Sequence, residues 1–138
     1  EVIHPKDLAA RVGDFHGIVV TLPGTDETRH LVSAEVLAAA RPGVVIANVG
    51  RGTVIDQDAL IAHLTTGHIG FAALDVTDPE PLPADSALWD LPNVLISPHT
   101  AARSDREDEL IAELFARNAT RYLDGEPLIN PVNTREFY

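Results

Sequence analysis

Val44-Val45-Ile46-Ala47-Asn48-Val49-Gly50-Arg51-Gly52 is the stretch that sets the fold of this 138-residue chain. Its first four residues are apolar without a polar alternate, the pattern of a strand buried on both faces rather than one. Two glycines then frame an arginine, which marks a turn whose backbone can come close to a ligand. On the amino-terminal side, Ser33 can cap a helix over residues 34–40, with Arg41-Pro42-Gly43 ending it. Before that helix, Gly17-Ile18-Val19-Val20-Thr21 reads as another strand buried on both faces. Pro5 opens a short helix that Gly13 closes.

On the carboxyl-terminal side, Asp56 can cap a helix over residues 57–66, with Leu60, Ile61 and Leu64 on one face and Gly67 as its stop. A third strand runs from Ile69 to Leu74, and a proline-rich loop covers residues 76–92. Asn93 to Ser97 forms a fourth strand, and one long amphipathic helix is expected from Ser104 to about Leu123. The tail from Asp124 is turn-rich and is expected to pack as an extended arm. Strands that alternate with helices predict an α/β fold with a parallel sheet. In such sheets ligands sit beyond the carboxyl ends of the strands, so the residues after Val20, Asn48, Leu74 and Ile96 are the ones to inspect.

Composition narrows the function. Hydrophobic residues make up 45% and charged residues 22%, which is a globular composition. With 10 Lys and Arg against 21 Asp and Glu, the formal charge is −11, so phosphate backbones and anionic lipid are poor partners. No apolar run reaches the ~18 residues that span a bilayer. Without cysteine there are no disulfides, zinc ribbons or thiol chemistry. Methionine is also absent, even from position 1, so either the start has been removed or the chain is a piece of a longer one.

Three groups of polar residues fall at the expected sheet edge. Arg51, flanked by glycines, presents a guanidinium fork suited to a carboxylate; a solvated surface turn is the plain alternative. Glu80 lies between prolines in Asp78-Pro79-Glu80-Pro81, which stiffens the backbone that holds it. An acidic, proline-stiffened loop of no catalytic use would have the same composition. His99, in Ser97-Pro98-His99-Thr100-Ala101, has small neighbours and room beside it, and histidine suits proton transfer near neutral pH. Together they form a proton donor, an acid that orients it and favours its imidazolium form, and a holder for substrate carboxylate. Those are the parts needed to reduce a 2-oxo acid. The other histidines are expected to be bland. His4, His16 and His30 lie in loops or at element ends. His63 and His68, five residues apart, would stand about 140° apart on a helix and share no metal-binding face, so no metal site is expected. Trp89 is expected to serve packing or a dimer contact.

Val49-Gly50-Arg51-Gly52 with Ile55-Asp56, Ala73-Leu74-Asp75-Val76 with Glu80-Pro81-Leu82, and Ser97-Pro98-His99-Thr100-Ala101 resemble the D-isomer-specific 2-hydroxyacid dehydrogenases. That family includes the phosphoglycerate, glycerate/hydroxypyruvate and D-lactate dehydrogenases. Spacings of 29 residues from Arg51 to Glu80 and 19 from Glu80 to His99 match its Arg–Glu–His triad. The Leu22-Pro23 turn with Thr25, Glu27-Thr28-Arg29 and Leu31 is similar to the family's loop after an earlier strand. The resemblance covers roughly residues 14–132. It implies that Arg51 binds the substrate carboxylate and carbonyl, His99 is the acid and base, and Glu80 pairs with His99. It further implies that Asp75 accepts a hydrogen bond from the nicotinamide carboxamide, and that Leu22, Pro23, Val49, Gly50 and Thr28 line the cofactor. The implied cofactor is NAD, with NADP also compatible. The resemblance also implies a small 2-hydroxy or 2-oxo acid as substrate, a homodimer as the assembly and a cytoplasmic location. Formate dehydrogenases of the same superfamily resemble this layout with glutamine in place of the acid, so Glu80 favours hydroxy-acid chemistry.

The departures are as specific as the matches. A G-x-G-x-x-G turn and the acidic residue that reads the adenosine ribose are absent and are expected before residue 1. The family's amino-terminal substrate domain is likewise missing. Gly24 and His30 stand where a more apolar residue and a glycine are expected. The resemblance thus implies the second half of a Rossmann-type doubly wound parallel sheet. Residues 1–103 would be a partial NAD(P)-binding domain, and residues 104–138 a crossover helix and tail returning to a missing substrate domain. Such a half-domain should need the rest of its chain or a partner to stay soluble, and should neither bind NAD tightly nor turn over alone. The rival from another class is a dinucleotide-sensing, corepressor-like binding protein with the same fold and triad.

Overall fold

The computed structural model describes residues 2–133. They fall into two compact units that divide after Ala101. In the first, four strands form one parallel sheet in sequence order: β1 (Gly17–Val20), β2 (Val44–Asn48), β3 (Ile69–Leu74) and β4 (Val94–Ile96). The parallel crossovers from β1 to β2 and from β2 to β3 run through α2 (Ala34–Ala39) and α3 (Gln57–Thr65), while α1 (Leu8–Arg11) precedes β1 and a loop with one 3-10 turn links β3 to β4. Pro5 begins a single 3-10 turn leading into α1. Ser33 caps α2 by accepting from the Val36 amide, and Asp56 caps α3 by accepting from Ala59, so both expected caps are present. Gly43 and Gly67, with φ of 82° and 74°, turn the chain after α2 and α3 in the left-handed region that a side chain disfavours.

The core lies on one side of the sheet only. Leu37 of α2 and Leu60 and Leu64 of α3 are fully buried with Ile46 and Ile69. Register puts Val45 beside Phe71 and Ala47 beside both Val19 and Ala73, with Leu95 next to Ala73, so these residues share the opposite face. Val19 is 69% exposed there and Leu95 56%, with Val45 and Phe71 also exposed. The expectation that residues 17–21 and 44–48 are buried on both faces is therefore corrected. An unbroken apolar run means that both faces are apolar, but α2 and α3 cover only one of them. β1 also stops at Val20, before Thr21.

The second unit holds α4 (Glu107–Leu123). It begins three residues later than the expected Ser104, after a turn through Arg106 that provides no side-chain cap. Glu107, Asp108 and Glu109 lie at its first turn, where acidic side chains complement the helix dipole. The tail packs by folding back along α4. Arg121 Nε donates to Pro127 O at 2.6 Å, and the Ile129 amide donates to Asn118 Oδ1 at 2.9 Å. Residues 134–138, the end of that tail, lie outside the described residues.

Candidate active site

Each strand of the sheet ends in a turn on the same edge, and each turn is fixed by backbone-directed bonds. After β2, the side chain of Asn48, 1% exposed, closes the Arg51 turn. Its Nδ2 donates to Arg51 O and its Oδ1 accepts from the Gly50 amide, both at 3.0 Å. Gly50 then lies so close to the turn after β1 that a Cβ there would stand 2.5 Å from Leu22 O. Gly52 lies against the chain after β3, where a Cβ would meet Thr77 O at 2.0 Å. The glycines flanking Arg51 are thus required by close backbone approach, to the β1 turn on one side and the β3 turn on the other.

Arg51 is exposed, and its Nη1 donates to Gly50 O at 2.8 Å. Among the described residues it has no carboxylate partner. Its Cβ and Cγ pack over Gly24, where a side chain would crowd them at about 3.2–3.3 Å. That contact gives the unexpected Gly24 a local reason. His30 occupies a left-handed position, φ 50°, which explains why a glycine is expected there.

The loop after β3 carries Glu80. Thr77 Oγ1 donates to Pro79 O at 2.9 Å, the Asp78 amide donates to Gln57 Oε1 at 3.0 Å, and the Thr77 amide reaches Glu80 Oε2 at 3.4 Å. Arg29 Nη2 lies 3.7 Å from Asp78 Oδ2. Glu80 Oε1 is 2.6 Å from His99 Nδ1. As a carboxylate Glu80 only accepts, so Nδ1 donates and Nε2 is left for other chemistry.

His99 also has a left-handed backbone, with φ 54°. Its amide donates to Asp75 O at 3.0 Å, and the Asp75 carboxylate binds the residues around it. Ser97 Oγ donates to Oδ1 at 2.5 Å, the Thr100 amide to Oδ1 at 2.9 Å and the Ala101 amide to Oδ2 at 2.8 Å. The Ser97 hydroxyl, with the two amides and the His99 charge, holds the Asp75 carboxyl below its ordinary value against the opposing effect of burial. Glu80, His99, Asp75 and Ser97 face a cavity of about 460 Å³ whose apolar wall includes Leu82, Trp89 and Ile96. Trp89 is half exposed and held by its Nε1 donating to Pro83 O at 2.8 Å.

The residues that the family resemblance assigns to cofactor lining lie at the same edge. Leu22 and Val49 offer exposed apolar side chains at the ends of neighbouring strands. The amides of Val49 and Gly50 are already donated, to Val20 O and Asn48 Oδ1, so these two residues offer surface rather than donors. Thr28 Oγ1 donates to Pro23 O at 2.6 Å and accepts from the Thr25 amide, which fixes the turn at Pro23.

A family description, D-isomer specific 2-hydroxyacid dehydrogenase, NAD binding domain, matches residues 2–101. The chain belongs to this family. It is 41% identical to a glyoxylate/hydroxypyruvate reductase B of Pectobacterium carotovorum over 127 residues, which are 92% of the chain and 40% of that relative. A D-isomer specific 2-hydroxyacid dehydrogenase from Xanthobacter autotrophicus, solved with NADPH and MES, superposes with a TM-score of 0.84 at 42% identity, over 96% of the chain and 54% of that structure. Holo D-mandelate dehydrogenase of Rhodotorula graminis superposes at 0.85 with 32% identity, over 92% and 37% respectively. The chain thus spans about 40% of this curated relative, as a Rossmann-type α/β NAD-binding domain followed by a carboxyl-terminal helix.

Asn48, Gln57 and Ser97 support these turns, and reading the sequence for chemistry passed over them. Only Asn48 carried a signal, an asparagine at a strand end two residues before a glycine. One expectation needs correction. The His63 and His68 rings stand 5.0 Å apart, because α3 ends at Thr65 and the Gly67 turn, not helical spacing, places His68. His68 Nε2 lies 3.2 Å from Leu37 O. Among the described residues no three potential ligands cluster around a metal position, and no helix is long and apolar enough to cross a membrane.

Proposed function

We propose that this chain is the second half of the cofactor domain of an NAD(P)-dependent dehydrogenase that interconverts D-2-hydroxy acids and 2-oxo acids. On this reading residues 1–103 complete that domain and residues 104–138 return to a substrate domain lying elsewhere in the full-length protein. The observation that carries the proposal is the 2.6 Å contact of His99 Nδ1 with Glu80 Oε1 at the mouth of a cavity on the carboxyl edge of the sheet. A histidine whose Nδ1 is engaged by an acid has its Nε2 poised for one proton at a substrate oxygen.

In reduction, His99 Nε2 donates its proton to the carbonyl oxygen and leaves as neutral imidazole. In oxidation it takes the hydroxyl proton. Glu80 orients the ring and balances the imidazolium before the transfer. Arg51 holds the substrate carboxylate with its guanidinium and draws electron density from the carbonyl. When bound, the nicotinamide supplies or accepts the hydride. Leu22, Pro23, Val49 and Gly50 form the lip that positions it, with Thr28 holding Pro23 in place. Asp75 uses three of the roughly four acceptor directions of a carboxylate, which leaves one for a carboxamide N–H. Homodimeric assembly and a cytoplasmic location belong to the same proposal. The bare apolar sheet face, with Val19 69% exposed, calls for a covering surface from the rest of the protein.

The test is NADH and NADPH oxidation by the full-length protein with a panel of small 2-oxo acids. Oxidation with at least one of them is expected. Retained dinucleotide binding with no turnover across the panel would replace the dehydrogenase by a dinucleotide sensor.

A further inference from the structure

We propose that Asp75 is a positioning residue for His99, its carboxylate filling the anion-binding nest around that histidine and thereby aiming the imidazole at Glu80. This role is separate from the cofactor contact considered above, though its link to turnover rests on the dehydrogenase reading. Successive backbone amides next to a left-handed residue form a concavity that binds anions. Here the left-handed residue is His99 and the amides are those of Thr100 and Ala101. The anion is not a ligand but the side chain of Asp75, at 2.9 and 2.8 Å.

Ser97 closes the arrangement from the other side, 2.5 Å from Oδ1, and the Asp75 carbonyl takes the His99 amide itself. Every residue from Ser97 to Ala101 except Pro98 is therefore bonded to Asp75. A β-carbon in the left-handed region carries a penalty, so an unsupported His99 would relax toward ordinary backbone angles. Its ring, at the end of the Cα–Cβ bond, would then swing away from Glu80. Asp75 is 6% exposed and leaves the sheet directly from β3, so its own position is set by the core. Orientation passes from sheet to carboxylate to nest to imidazole.

The experiment uses the full-length protein with Ser97→Ala, Ser97→Thr and Asp75→Asn. Steady-state kinetics is paired with the long-range proton–nitrogen correlation of the His99 ring, assigned by its loss in His99→Gln. That correlation reports which ring nitrogen carries hydrogen. Ser97→Ala should lower kcat about 10-fold and Asp75→Asn about 100-fold, as expected for misaiming a reacting group by about 1 Å. The KM for NADH should stay within about twofold of wild type in Ser97→Ala. In both variants the neutral His99 ring should lose its preference for hydrogen on Nδ1, and Ser97→Thr, which keeps the hydroxyl, should restore it.

If kcat and the tautomer preference hold while only the KM for NADH rises, Asp75 is a cofactor ligand and nothing more. A fall in kcat with an unchanged ring signature overturns the inference as well. Should the wild type turn over no 2-oxo acid, the dehydrogenase reading fails by itself, and the ring signature still decides whether Asp75 positions His99.

Discussion

Gly52→Ala tests how the site is assembled. The added Cβ would stand 2.0 Å from Thr77 O, 2.1 Å from Thr77 C and 2.7 Å from Asp78 N. Ordinary contact begins near 3.4 Å, so the Arg51 turn and the Thr77–Asp78 segment must part by about 1.4 Å. Neither side can yield by rotating a side chain, because the clash is with backbone and both Gly52 and Thr77 are buried. Overpacking of this kind costs about 1–3 kcal/mol or more. The displacement also enters the site directly: Arg51 is one residue from Gly52, and Thr77 is bonded to both Pro79 and Glu80. A misplacement of ~1 Å in a reacting constellation lowers the rate about 100-fold. In the full-length protein, Gly52→Ala should reduce kcat/KM for 2-oxo acid reduction by about that factor and lower Tm by several degrees. Gly17→Ala is the control, since its Cβ would meet only Val45 O at 3.8 Å. A Gly52→Ala enzyme within twofold of wild-type kcat/KM and with unchanged Tm would refute the claim that backbone contact between these turns sets the Arg51–Glu80 geometry.

His99→Ala should lower kcat by about 10²–10⁴ while the dissociation constant of NADH, read by fluorescence titration, changes little. Glu80→Gln keeps an acceptor for Nδ1–H but removes the charge, so kcat should fall at least about 10-fold with the KM for NADH unchanged in steady-state assays. Asp75, with its lowered carboxyl, adds stability that is complete above the ordinary carboxylate range near ~4 and is lost as pH falls through its lower folded value. Thermal scans should therefore show Asp75→Asn less stable than wild type at neutral pH, with the gap narrowing below about pH 4. The 138-residue chain by itself should bind a hydrophobic dye through its bare sheet face, and Val45→Thr with Phe71→Thr should reduce the fluorescence.

Much of this was legible because parallel sheets write themselves plainly. Apolar runs bounded by glycine and capped helices located all four strands, and the three site motifs fell where strand ends had to be. The missed exposure of Val19 and Val45 has a simple cause: the sequence reports which surfaces are apolar, not which neighbour covers them. His68 was misjudged because a helical angle was applied across the end of a helix. The support residues were invisible for another reason. Ser97 and Gln57 act on groups at other strand ends, and no local pattern distinguishes a serine that caps a carboxylate from one that faces water. The late start of α4 at Glu107 fits the same account, since nothing at Arg106 caps it.

The backbone of His99 is held by a carboxylate rooted in the sheet, while Leu82 and Trp89 meet the cavity from the same loop that carries Glu80. A change in the wall beside Leu82 is therefore felt two residues away at Glu80, whereas one at Trp89 lies further along the loop. Cavity shape and the partner of His99 are thus inherited through one loop, and an engineer reshaping the first would do better to begin at Trp89 than at Leu82.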